Sequence, residues 1–208
     1  KKKQTANIAT IKNAGSGSIS MSGGTITSSG KGIENTGTGA VSITGGNITS
    51  TGIGINNTGA GDVSISDVTL TSGGDAISIS GTGNLTVTGG TIRSTSGVGI
   101  KNTSSMTTIG TEDGNPNPGS VEIRGATNGL WPKDANSWNF YDGTIEGRTS
   151  AIYNDLVPPL DKEEGYDVVH EVRSIGGADY HVAYLGIQNY SVTNNGVTKF
   201  FEKLEEAV

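Results

Sequence analysis

The chain has 208 residues and only 32% of them are hydrophobic, which is too little apolar material for a conventional globule with a thick core. Its net charge of −6, with no basic cluster beyond Lys1, Lys2 and Lys3, leaves nothing to neutralise a phosphate backbone, so nucleic acid is not an expected partner. The absence of cysteine excludes disulfides and thiolate metal sites and is compatible with export.

In chain order the first feature is a repeat. Ile19, Val41, Val63 and Leu85 are spaced 22 apart, as are Met21, Ile43, Ile65, Val87 and Ile109, and as are Ile26, Ile48, Leu70 and Ile92. A further column runs Ile11, Ile33, Ile55 and Ile77, then slips by one to Ile100. A unit this short buries nothing alone and must stack on its own copies as a solenoid. The 34 glycines recur in step with these columns, which sets them apart from a disordered tract and marks them as corners. In the first full copy, residues 18–22, 25–28 and 32–36 each alternate apolar with polar, the period of a strand with one buried face. Three strands and three corners per 22 residues describe a parallel β-helix, and seven copies of the third strand predict a rod of roughly 30 Å.

One inward column is polar: Asn13, Asn35 and Asn57, then Ile79, then Asn102. Stacked asparagines can hydrogen-bond along the column and satisfy corner backbone groups, or they can serve only as turn formers. After Asn102 the period is interrupted by an insertion, the turn-rich loop 111–119. Beyond it Ile123 with Leu130 and Ile145 with Ile152 restore the spacing, and Asn154 falls in the asparagine column. The same alignment assigns Trp138 and Phe140 to the core positions of Ile19 and Met21.

The expected boundary lies between a solenoid over residues 1–157 and a cap over 158–208, with Pro158 and Pro159 ending the solenoid strands. Residues 166–173 and 180–185 alternate like a hairpin that would cover the open end of the stack, and 190–193 with 197–200 form a second hairpin around Asn194, Asn195 and Gly196. Phe201, Leu204 and Val208 share one face of a short C-terminal helix. The chain carries no signal peptide, apolar run of transmembrane length or lipidation motif, so any targeting segment is expected outside it.

The GxGIxNTGTGAVSITGG units, then WNFYDGTIEGRTSAIYND, then a hairpin ending YHVAYLG, resemble modules of large multi-domain surface proteins of Gram-positive bacteria, the adhesin family. The resemblance implies an extracellular, cell-surface location, a role in adhesion, and a monomeric module within a longer array, the closing LEEAV being similar to the start of a further unit. The expected fold is therefore all-β: a right-handed parallel β-helix of about seven rungs, three strands per 22-residue rung, capped by a small antiparallel region and a short helix.

Polysaccharide lyases and glycoside hydrolases on β-helices bring several acids together on one outward sheet. Here the outward columns Ser20, Ser42, Ser64, Thr86, Thr108 and Ser22, Thr44, Ser66, Thr88 contain no acid, Asp62, Asp67 and Asp75 sit singly near corners, and His170 and His181 lack a supporting motif. Another outward column, Thr27, Thr49, Thr71, Arg93, Arg124, Glu146, predicts an exposed Arg124–Glu146 pair, with the charge of the adjacent Arg93 and Arg124 neutralised by Glu112 or Asp113 of the inserted loop or by an anionic ligand. The column Glu34, Asn56, Ser78, Lys101, Trp131, Tyr153 supplies the candidate carbohydrate site: Trp131 and Tyr153 as a stacking surface with Lys101 as a polar handle, unless the loop or hairpin covers them. A Thr-x-Thr ladder of the ice-binding kind begins at Thr25 and Thr27 but is broken by Asn47, Arg93, Glu122 and Arg124. No cofactor or metal motif is present, calcium-binding nonapeptide repeats included. The expectation is a non-catalytic adhesion or stalk module, partnered by glycans or host extracellular proteins and not inserted in a membrane; a polysaccharide-cleaving enzyme is the alternative.

Overall fold

A computed structural model describes residues 10–155, 161–162, 166–187, 190–194 and 197–201. Third strands Ile11–Asn13, Ile33–Asn35, Ile55–Asn57, Ile77–Ile79, Ile100–Asn102, Asn128–Trp131 and Ser150–Ile152 form one parallel seven-stranded sheet in that order. Their inward residues meet as the spacing predicts, Ile11 beside Ile33, then Ile55, Ile77, Ile100, Leu130 and Ile152. First and second strands belong to a second, thirteen-stranded sheet. The two are fused because in Ile19–Ser28 and Val41–Ser50 the first strand runs through its corner into the second, where separate strands were expected. The chain is a right-handed parallel β-helix of about six turns, the hand that parallel crossovers take.

Glycine serves two different needs in this stack. At the corner between first and second strands Gly46 has φ 106°, a conformation that side chains resist. At the corner after the third strand the requirement is space: a Cβ on Gly59 would lie 1.9 Å from the Gly37 carbonyl oxygen of the preceding rung. Positive φ, the reason expected for all corners, applies only to the first kind.

The inward asparagines form a ladder. Asn13 Nδ2 donates to Asn35 Oδ1 at 2.9 Å and Asn35 Nδ2 to Asn57 Oδ1 at 3.0 Å. The same amides donate to the carbonyls of Gly17, Gly39 and Gly61, closing each corner. Asn102, below the Ile79 interruption, turns instead to Thr107 Oγ1 at 2.9 Å. Asn154 does not rejoin the column: it is exposed with φ 58°, in the short 3-10 turn Tyr153–Asp155, where a left-handed backbone favours asparagine. A second inward polar column, Ser28, Ser50, Ser72 and Ser94, has the same spacing of 22 and had no place in the expected core. Ser72 Oγ and Ser94 Oγ both donate to the Gly74 carbonyl at 2.7 Å.

Trp138 and Phe140 are fully buried, paired in register with Thr107 and Ile109, as their alignment requires. The inserted loop is fastened to the following rung. The buried Asp142 carboxylate accepts from the amides of Thr111, at 3.1 Å, and Asn117, and Thr144 Oγ1 donates to the Pro118 carbonyl at 2.7 Å.

Beyond the prolines the parallel stack gains one more strand, Asp161–Lys162 beside Trp138–Phe140, so the expectation that Pro158 and Pro159 end it is corrected. Proline forbids a ladder donor at its own position only, and a new strand begins at Asp161. The cap is the antiparallel hairpin Tyr166–Ile175 and Ala178–Ile187, turning at Gly176 and Gly177 with φ 60° and 80°. Its second strand pairs antiparallel with Thr144–Gly147, which sets Ala183 beside Ile145 and closes the column of Ile26. A separate hairpin pairs Tyr190–Asn194 with Val197–Phe201. Phe201, expected on a C-terminal helix, ends the strand Val197–Phe201 instead; the rest of that expected helix lies outside the described residues, among which no helix is long and apolar enough to cross a membrane.

Candidate functional site

The candidate column stands on the outer face of the seven-stranded sheet. Parallel pairing puts Ser78 beside Lys101 and Lys101 beside Trp131, and Leu130 beside Ile152 brings Tyr153 next in line. All three candidate residues are half-buried and in contact. The rings of Trp131 and Tyr153 stack with centroids 3.7 Å apart and planes 10° apart, closer than the roughly 4.8 Å between rungs. Lys101 Nζ lies 4.7 Å from the Trp131 centroid. Since Lys101 comes from the rung on one side and Tyr153 from the rung on the other, both faces of the indole are occupied. Such contacts contribute about 0.5–1.5 kcal/mol each. A sugar ring could use only the ring edges or the far face of Tyr153.

Towards the other end of this column, Glu34 pairs with Lys31 and, at 3.4 Å, with Lys12 one rung away. The bond from Lys31 holds the Glu34 carboxyl below its ordinary value against the opposing effect of burial, and Lys12 adds to the lowering.

The acid and arginine cluster lies on the second strands. Arg124 bonds the carboxylates of Glu146 and, at 2.9 Å, Glu122. Only 14% of the Arg124 side chain and 5% of the Glu146 side chain are exposed, so the pair expected at the surface is instead a buried carboxylate with a half-buried guanidinium. For Arg124 the counter-charges come from the same sheet, where the inserted loop was expected to supply them; the Tyr180 ring of the cap lies 5.3 Å from the guanidinium and covers it, while the Glu122 side chain stays 43% exposed. Arg148 approaches the same ring at 5.5 Å. Burial pulls the Arg124 guanidinium down, but its bond to Glu146 and the charges of Glu146 and Glu122 outweigh this and raise it above its ordinary value. Arg93, its neighbour in register, remains exposed.

Of the acids expected singly near corners, Asp62 accepts from the Asn84 amide at 2.8 Å and Asp75 from the Val98 amide at 2.9 Å. His170 and His181 are exposed in the cap, and among the described residues no group of three or more His, Asp or Glu is placed to hold a metal. Neither the Tyr180 lid nor the Asp142 anchor is among the contacts expected from the sequence. The second had a signal, an acid just after Phe140 in the corner facing the insertion; the first had none, because the cap lies outside the repeat. No protein family, curated protein or solved structure matches the chain. What fold and site define is a capped parallel β-solenoid whose charged and aromatic groups contact one another.

Proposed function

We propose that this chain is a non-catalytic stalk or adhesion module of a bacterial cell-surface protein, extracellular and of the Gram-positive type that its repeat units resemble. The observation that carries the reading is the unbroken stacking of seven third strands, reinforced over the first three by the asparagine ladder. A solenoid in which every rung is fixed to the next is a stiff spacer, roughly 30 Å long here. The enclosure of Glu146 and Arg124 beneath Tyr180 also supports it, since a glycosidase needs carboxylates that reach a sugar. Incubation with a panel of polysaccharides is expected to release neither reducing ends nor unsaturated sugars; turnover of any of them overturns the proposal.

A second reading, glycan adhesion, rests on the half-buried Lys101, Trp131 and Tyr153 stack. On an array of glycans and host extracellular proteins, this reading expects binding that a folded W131A/Y153A variant loses by roughly tenfold or more. Equal binding by both proteins eliminates the aromatic column as the contact.

A further inference from the structure

The thirteen-stranded sheet ends on Tyr166–Ile175, whose outer edge pairs with no other strand among the described residues. This edge strand is ten residues long, and its Val172 is 61% exposed. Long edges of this kind are normally shortened, covered or interrupted.

Which backbone groups face outward follows from the turn. In a hairpin closed by two residues the flanking pair, here Ile175 and Ala178, exchanges hydrogen bonds, and such pairs alternate along the ladder. Arg173, Glu171 and Val169 therefore turn their N–H and C=O groups towards the inner strand, whereas Ser174, Val172, His170 and Val168 turn theirs outward. The Val168 amide agrees with this parity: it donates to the Asp167 carboxylate at 2.9 Å.

We infer that this edge pairs antiparallel with the same edge of a second copy, with Val172 on the two-fold axis. Outward groups must meet outward groups, which restricts the pairing to registers centred on a residue. Centring on Val172 matches every position: Val172 meets its own copy, Glu171 meets Arg173, His170 meets Ser174 and Val169 meets Ile175. The last three contacts occur twice by symmetry. Glu171 and Arg173 already bond within the strand, so both charges lie at this edge. Centring on His170 instead opposes two histidines and sets Val169 against Glu171. It also draws the half-buried residues 166–168 into the contact, whereas residues 172–174 are exposed.

The chain contains no cysteine, so single cysteines report the register. Hydrogen-bonded antiparallel partners lie about 5.5 Å apart at Cα, within disulfide range. Mild oxidation of V172C in the full chain is expected to give a covalent dimer. H170C and S174C singly should give little, and the H170C/S174C double variant should give much. In sedimentation experiments the wild type is expected to dimerise with concentration. R173E, which sets a second carboxylate against Glu171 at both symmetric contacts, should weaken this by at least about tenfold, and E171R/R173E should restore it. V172P removes an outward N–H that the hairpin does not use, so it should abolish dimerisation with the circular dichroism spectrum retained. A wild type that stays monomeric at every concentration overturns the inference, as does cross-linking that ignores position or a charge swap that restores nothing.

Discussion

At the scale of single residues, the rung spacing acts as a steric filter that composition hides. Gly59 has no unusual φ, yet a Cβ there would fall 1.9 Å from a carbonyl oxygen, while Gly23 has nothing within 4 Å of its Cβ position. Gly59→Ala is therefore expected to destabilise the protein by roughly 1–3 kcal/mol, the range for overpacking, in urea denaturation. Gly23→Ala should be neutral or slightly stabilising, because it only narrows the unfolded ensemble. Equal effects at the two sites would refute the steric account. The columns made such assignments readable for Trp138 and Phe140, whose places follow from counting. They failed at Asn154, where the chain leaves the repeat and the backbone turns left-handed, so position in the period no longer says which way a side chain faces. The serine column was legible at the same spacing as the asparagines, but a small hydroxyl gives no hydropathy contrast at a corner.

At the scale of elements, Glu34 and Arg124 each find opposite charges on their own rung and on a neighbouring one. Glu34 sits between Lys31 and Lys12, and its folded carboxyl titrates below the unfolded one. A lowered carboxyl contributes stability that is complete above roughly pH 4.3, the unfolded value, and is lost as pH falls through the lower folded value. The stability difference between wild type and Glu34→Gln should accordingly be constant at neutral pH and shrink as urea titrations move into acid. A difference that persists unchanged at about pH 2–3 would show that the carboxylate charge is not its source. The Arg124 cluster obeys the same logic but was only half legible. Its alignment with Glu146 follows from the count of 22, whereas its burial depends on Tyr180, delivered by a non-repeating hairpin that docks through backbone pairing. The alternation of residues 166–173 and 180–185 reveals a hairpin over the open end of the stack, but the count of 22 does not extend into it, so the meeting of Tyr180 with Arg124 was not legible.

At the scale of the whole molecule, nearest-neighbour stacking makes length divisible only in whole rungs. Removing residues 43–64, which is 22 residues, rejoins Ser42 to Ile65 in phase and keeps every inward column. That deletion is expected to fold cooperatively and to shorten the rod by about 4.8 Å in solution scattering. Deleting 43–63 instead shifts the following strands by one position, turns their isoleucines outward where they abut the upper rungs, and should leave an aggregating chain. If both deletions fold equally well, the solenoid is not held by its columns. The capping hairpin bounds this arithmetic at one end, since its pairing with Thr144–Gly147 depends on the last second strand staying in place.

The loop 111–119 gives the molecule a use as a scaffold. Across it Ile92 still pairs with Ile123 and Ile109 with Phe140, so the extra chain is absorbed in one corner and its neighbours keep their partners. The Asp142 bonds to Thr111 and Asn117 and the Thr144 bond to the Pro118 carbonyl hold the loop near its two ends and leave residues 112–116 between them. A foreign peptide grafted into 112–116 would project from the side of a rod with both of its ends fixed, displayed at a known height along the axis, and the stack would carry it without learning a new register.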